Sequence, residues 1–223
     1  MTINLLKWIT LTLLIATPAG LLAQSDQLPQ VTAEGLHRVP DSKLAIVYAD
    51  PDADVSIYDS VKILEPYVAF KKNWERQQKS SSAHPFPVRP GDMEKIKATL
   101  VKEFTTVFGE VLTEGGYNVT DQSGESVMLV RPAIIDLDPT SPETRSAFNS
   151  QTYVRSIGEM TLYVELYDSL TGDMIAKALD RKIDGSSSSH YTWANPATNA
   201  IAAKRILRGW AEILRDALDE ARQ

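Results

Sequence analysis

Met160-Thr161-Leu162-Tyr163-Val164-Glu165-Leu166-Tyr167, followed at once by Asp168-Ser169-Leu170-Thr171-Gly172-Asp173, is the stretch that decides the fold. Apolar Leu162, Val164 and Leu166 alternate with Thr161, Tyr163, Glu165 and Tyr167. Successive side chains of a strand point to opposite faces, so this pattern describes a strand with one face buried and the other wet or facing a partner. The polar run behind it is tight-turn chemistry. It predicts that residues 174–183 return antiparallel as the second arm of a hairpin.

Upstream, Val127-Met128-Leu129-Val130 and Ala133-Ile134-Ile135-Asp136-Leu137-Asp138 flank Arg131-Pro132. They read as a buried central strand with a break, or as two strands offset by a bulge. Met93, Ile96, Leu100, Phe104, Val107, Phe108, Val111 and Leu112 fall at helical spacing behind a capping Asp92, and Gly115-Gly116 supplies the left-handed exit. Residues 44–48 read as a short strand ending at the turn Asp50-Pro51-Asp52, and residues 61–70 as a second strand with an edge or bulge at Pro66. Residues 79–90, rich in Ser and Pro, read as loop. Downstream, Asn195-Pro196 precedes a final helix carrying Ile206, Leu207, Trp210, Ile213, Leu214, Ala217 and Leu218 at helical spacing. The fold class that follows is α+β, a largely antiparallel sheet with two amphipathic helices packed on one face.

Ahead of all this stands a different kind of segment. Lys7 introduces the apolar run 8–16, then Thr17-Pro18-Ala19-Gly20 and Leu21-Leu22-Ala23 before polar Gln24-Ser25-Asp26. A basic start, an apolar centre, a helix breaker and a small residue are the order of a secretory signal, with cleavage expected after Ala23. Pro18 and Gly20 interrupt the run short of the roughly 20 apolar residues a membrane span needs. Leu21-Leu22-Ala23 would also approach a lipoprotein cleavage site, but Gln24 stands where the acylated Cys belongs, so no lipid anchor is expected. The expected organisation is a signal peptide at 1–23, a polar leader or linker at 24–41, and a single envelope domain at 42–223. The product is expected to be exported, periplasmic or extracellular, and soluble once cleaved.

Composition removes several classes of function. Among 223 residues there is no Cys, which excludes disulfides, thiolate catalysis and cysteine-ligated metals. Basic residues number 23 against 29 acidic ones, for a net charge of −6. Nucleic-acid binding needs a clustered basic surface; the densest basic stretch, Lys71, Lys72, Arg76 and Lys79, is interrupted and reads as a solvated face.

No catalytic or cofactor motif emerges. Asp50, Asp52 and Asp54 open with the acidic spacing of a calcium loop, but Val55 and Val61 stand where its Gly and bidentate Glu belong, so the stretch reads as a turn. His37, His84 and His190 lie in expected loops without zinc-binding spacing. Ser186-Ser187-Ser188-Ser189-His190 with Asp184 has the residue types of a triad, but neighbours in one loop do not make one. Phosphate-binding glycine motifs and the nucleophile elbow are absent from the sequence. No cofactor or metal is expected.

Taken in order, Tyr48-Ala49-Asp50-Pro51-Asp52-Ala53-Asp54, Tyr58, Trp74, residues 129–138, Gly158-Glu159-Met160-Thr161-Leu162, Tyr167-Asp168-Ser169-Leu170-Thr171-Gly172 and Trp210 resemble the bacterial family known as domain of unknown function 3313. The resemblance runs from about Gly35 to the last helix. Members of that family look like envelope lipoproteins, from which this chain departs at Gln24. The resemblance implies no catalytic residue. The leading expectation is a non-enzymatic binding or assembly module for envelope proteins, with Tyr163, Glu165, Tyr167 and Trp74 as partner surface, because aromatics offer large contact area with a polar handle. The alternative is a periplasmic hydrolase using paired carboxylates from Asp136, Asp138 and Glu159.

Overall fold

A computed structural model describes residues 28–80, 90–139, 152–154, 158–184, 192–194 and 196–222, and the expected signal segment lies outside them. In chain order the elements are β1 (His37–Arg38), β2 (Ile46–Ala49), a 3-10 turn (Val55–Ile57), β3 (Ser60–Ile63), β4 (Tyr67–Phe70), α1 (Trp74–Ser80), α2 (Pro90–Glu114) and β5 (Asn118–Val119). Then follow β6 (Val127–Pro139), β7 (Thr152–Val154), β8 (Gly158–Asp168), β9 (Met174–Asp184), β10 (Thr192–Ala194) and α3 (Pro196–Ala221).

The expected hairpin is present. β8 and β9 pair antiparallel from Gly158↔Asp184 to Tyr167↔Met174. At its turn Asp168 Oδ1 accepts the N–H groups of Leu170 and Thr171, each at 2.8 Å, and Gly172 takes φ 74°. From this nucleus an eight-stranded sheet extends in the order β1-β2-β9-β8-β6-β3-β5, with β4 also on β6, while β7 and β10 form a separate ribbon. Pairing is antiparallel from β1 through β6 and parallel where β3 and β4 meet β6 and β5 meets β3. With the helices it makes an open, mostly antiparallel α+β fold, as the alternation predicts.

The break expected at Arg131-Pro132 lies instead in the neighbouring strand. β6 runs through Pro132, whereas β3 ends at Ile63 opposite Val130 and β4 begins at Tyr67 opposite Ala133. Leu64 donates its N–H to the Val130 carbonyl at 2.9 Å, so the Pro132 nitrogen, two residues on, faces that same neighbour. The interruption at Leu64-Glu65-Pro66 leaves no acceptor that a missing N–H would waste. The bulge of β6 is at Asp136, where φ is 51° and the register with β8 shifts between Ile135 and Asp138. One extra residue resets the alternation: Val130 and Ile134 are buried before it, Leu137 after it.

Both long helices lie on one face of the sheet. Phe104, Val107, Phe108 and Val111 of α2 and Leu207, Trp210 and Leu218 of α3 share one core with Val61, Ile134, Leu162 and Val164. Helix α2 begins at Pro90, two residues before the expected cap; proline suits a first helical position, and Asp92 sits in the first turn, where the helix dipole favours an acid. It ends as predicted. Gly116, at φ 87°, donates to Thr113 O at 3.0 Å and Tyr117 donates to Leu112 O at 3.0 Å, the paired bonds of a Schellman cap.

Helix α1 overlaps the stretch read as a solvated basic face, and Lys72 and Arg76 there are exposed. One segment departs from expectation. The polar leader is not a linker over residues 28–41: Leu36 is 2% exposed, β1 pairs with β2, and Tyr48 donates its hydroxyl to Pro29 O at 2.8 Å. Polar composition concealed this packing because a single buried leucine makes no periodic pattern.

Candidate functional site

The outer sheet face is built around Glu165. On β8 it lies between Arg131 of β6 and Lys177 of β9, its cross-strand neighbours on either side. Glu165 Oε1 accepts the Tyr163 hydroxyl at 2.6 Å, and Oε2 accepts the Tyr167 hydroxyl at 3.0 Å and Arg131 Nη1 at 3.3 Å. Lys177 turns away to Glu34, at 2.8 Å. Residues two apart on one strand share a face, and that spacing lets both phenols reach one carboxylate.

The electrostatics lock this arrangement. Burial, then the hydrogen bond to Glu165, raises both the Tyr163 and the Tyr167 phenol above the ordinary tyrosine range. Both therefore stay protonated donors through the neutral range. The Lys177 ammonium holds the Glu34 carboxyl down to about 2, with Thr32 assisting. The result is a half-buried Tyr-Glu-Tyr cluster with its rotamers tied, flanked by one ion pair.

Trp74 does not join it. Its ring is 1% exposed and stacks on Phe70 with centroids 4.5 Å apart, so it is core rather than partner surface. The physical reason is local: Asn73 adopts φ 65°, turning the chain sharply between β4 and α1 and tucking the indole inward. Its Nε1 finds no hydrogen-bond partner among the described residues.

The acids proposed for hydrolysis are only partly brought together. Asp138 and Glu159 face each other across β6 and β8, and Lys71 Nζ sits between them at 2.9 and 2.7 Å. Arg181 pairs with the other Glu159 oxygen. Lys71 chiefly, with Arg181 assisting, lowers the Glu159 carboxyl against the opposing effect of burial. A general acid needs the opposite shift. Asp136 is exposed on its bulge and takes no part in these ion pairs.

Other candidates resolve into structural roles. Asp50 and Asp54 accept the backbone N–H groups of Asp52 and Ser56, each at 3.0 Å, as turn residues do. His37 lies in β1 rather than a loop, while His84, His190 and Ser186 to Ser189 lie outside the described residues. Asp184 is buried and pairs with Arg205 at 3.1 Å. Among the described residues no group of three His, Cys, Asp or Glu could hold a metal ion, and no helix is long and apolar enough to cross a membrane.

One feature escaped the sequence reading altogether. A cleft of about 500 Å³ opens between α3 and the β8-β9-β2 part of the inner face, beneath residues 39–44. Its available signal was the run of small side chains, Ala49, Ala176 and Ala178, at strand positions where branched residues are the norm.

No curated protein matches the chain. Among solved structures it is similar to the PelC dodecamer from Paraburkholderia phytofirmans, at 10% identity and TM-score 0.37, over 75% of this chain and 96% of that one. A minor lipoprotein from Acinetobacter baumannii matches at 7% identity and TM-score 0.36, over 74% and 96% of the two chains. A DUF4136 family protein from Bacteroides thetaiotaomicron matches at 11% identity and TM-score 0.31, over 79% and 95%. The family model described as Protein of unknown function (DUF3313) matches residues 30–214. With the ordered blocks that carry the resemblance all inside that match, the chain belongs to the DUF3313 family.

Proposed function

We propose that this protein is exported and serves as a non-enzymatic binding module of the bacterial envelope, with the outer sheet face around Tyr163, Glu165 and Tyr167 as its partner surface. The observation that carries the proposal is the closed hydrogen-bond set on Glu165. Tyrosines already held in one rotamer lose little entropy on binding, and their rings supply amphipathic contact area. The flanking Arg131 and the Glu34–Lys177 pair add a polar rim. The paired-carboxylate hydrolase draws no support from the geometry, because Lys71 and Arg181 keep Glu159 charged.

The test is site-specific photocrosslinking in the bacterial envelope. A benzophenone side chain at position 167 is expected to yield a discrete protein adduct, lost when Tyr163 is changed to Ser and Glu165 to Gln. The same probe at Ile57, which is 51% exposed on another part of the surface, is the control. Identical adducts from both positions would remove the outer face from consideration. N-terminal sequencing of the exported product should begin at Gln24; a cytosolic product still beginning at Met1 would overturn export.

A further inference from the structure

Two long helices do not cover the whole inner face of the sheet. The cleft beside α3 has aliphatic walls from Val47, Leu166 and Ile175 on the strands and Ile213, Leu214 and Ala217 on the helix. Its volume of about 500 Å³ falls within the range of small-molecule sites. The cleft extends along α3 from Trp210 to Ala221, about 16 Å at 1.5 Å per residue. Residues 39–44 cross above it, held by Lys43 Nζ on Asp216 at 2.9 Å and by the Ala45 N–H on Asp180 at 3.0 Å.

The polar groups of this site divide into two sets. In the walls, the Trp210 indole N–H is already given to Asp180 at 2.7 Å. The walls thus demand an occupant whose body makes no hydrogen bonds, which disfavours a sugar or a peptide backbone. At the rim, Asp41, Asp50 and Glu220 have no cation within ion-pair distance among the described residues; Lys43 is bonded to Asp216 at 2.9 Å and meets the Glu220 charge only at longer range. The rim is therefore a negative collar around an elongated apolar slot.

We propose that this cleft binds an amphiphile with a single aliphatic chain and a cationic head, the chain lying along α3 and the head at the Asp41, Asp50 and Glu220 collar. The proposal stands apart from the outer-face reading, since it uses the opposite side of the sheet. Small side chains at Ala176, Ala178 and Ala217 create the space that the chain fills. Its aliphatic walls offer water few hydrogen-bond partners, so burying methylenes there supplies the affinity.

The test is calorimetric titration of the purified exported protein with decyltrimethylammonium, dodecyltrimethylammonium and dodecanoate, all below their micelle concentrations. Two added methylenes should tighten binding about 15-fold, and the ammonium should bind at least about tenfold better than the carboxylate at low salt. That preference should shrink as ionic strength rises. Ala178→Leu and, separately, Ala217→Leu fill the slot from opposite walls and should each weaken binding at least about tenfold while the circular dichroism spectrum is kept; Ala217 is exposed on α3, so it carries the test should Ala178→Leu not fold. Asp41→Asn with Glu220→Gln should shrink the head-group preference severalfold and keep the chain-length dependence. Binding indifferent to chain length, or unchanged in the filled variants, would overturn the site, and equal affinity for ammonium and carboxylate would overturn the cationic head.

Discussion

Trp210 shows how much one side chain can carry. Its ring is 1% exposed in the core, and its indole N–H reaches a carboxylate, Asp180, that is itself 4% exposed. Buried carboxylates are tolerated only with partners, and Asp180 has three: the indole, the Ala45 N–H and Lys182 at 3.2 Å. Trp210→Phe keeps most of the apolar bulk but strands one lone pair. It should destabilise the protein by about 1–3 kcal/mol in urea unfolding. A loss indistinguishable from zero would mean that water reaches Asp180. Helical spacing marked Trp210 as core, but nothing marked its partner. Asp180 sits 30 residues away on a strand, and only folding brings it under the helix.

Among the elements, α2 illustrates a boundary readable from residues alone. Gly116 at φ 87° ends it in a conformation that a Cβ disfavours. Gly116→Ala should cost about 1 kcal/mol, seen as a fall of about 2–4 °C in Tm. An unchanged Tm would show that position 116 does not need its left-handed backbone to close the helix. The β8-β9 hairpin was equally legible, because turn residues and period-two alternation both depend on neighbours in sequence. The split of the strand beside β6 into β3 and β4 was half legible: Pro66 flagged the place, but the compensating Pro132 lies on the neighbouring strand, distant in sequence.

At the scale of the whole molecule, pH acts through carboxylates and phenols spread over the surface. Glu34, Asp59, Glu159, Asp168 and Asp216 all have their carboxyl pKa lowered in the folded chain, by hydrogen bonds from Lys177, Ser60, Lys71, the Thr171 N–H and Arg215 respectively. A lowered carboxyl stabilises the fold above its unfolded pKa and loses that effect as pH falls through the folded one. Stability should therefore hold above about pH 5 and decline from there towards pH 2. Tyr58 and Tyr117 are pushed up to about 12, mainly by burial and then by bonds to Asp168 and Asp219. Their contribution is full below the ordinary tyrosine value near 10 and is lost as pH rises through 12. Thermal melts across pH should show a plateau between about 5 and 9.5, and a steep slope inside that window would contradict these assignments. The leader offers a second test. Removing residues through 38 takes away buried Leu36 and uncovers Tyr48, which should cost about 2–3 kcal/mol in denaturant unfolding. A neutral truncation would return the segment to the status of a linker.

Local pattern alone determined the signal-like start, the hairpin, both long helices and the α+β class, since each depends on residues within a few positions of one another. The sequence also placed Tyr163, Glu165 and Tyr167 on one face, because strand geometry alternates with period two. Tertiary structure alone decided that Trp74 is buried, that Lys71 bridges Asp138 and Glu159, and that Ala49, Ala178 and Ala217 leave a slot beside α3. Burial, ion pairing and empty volume are relations between segments distant along the chain, and they exist only once the backbone has closed around them.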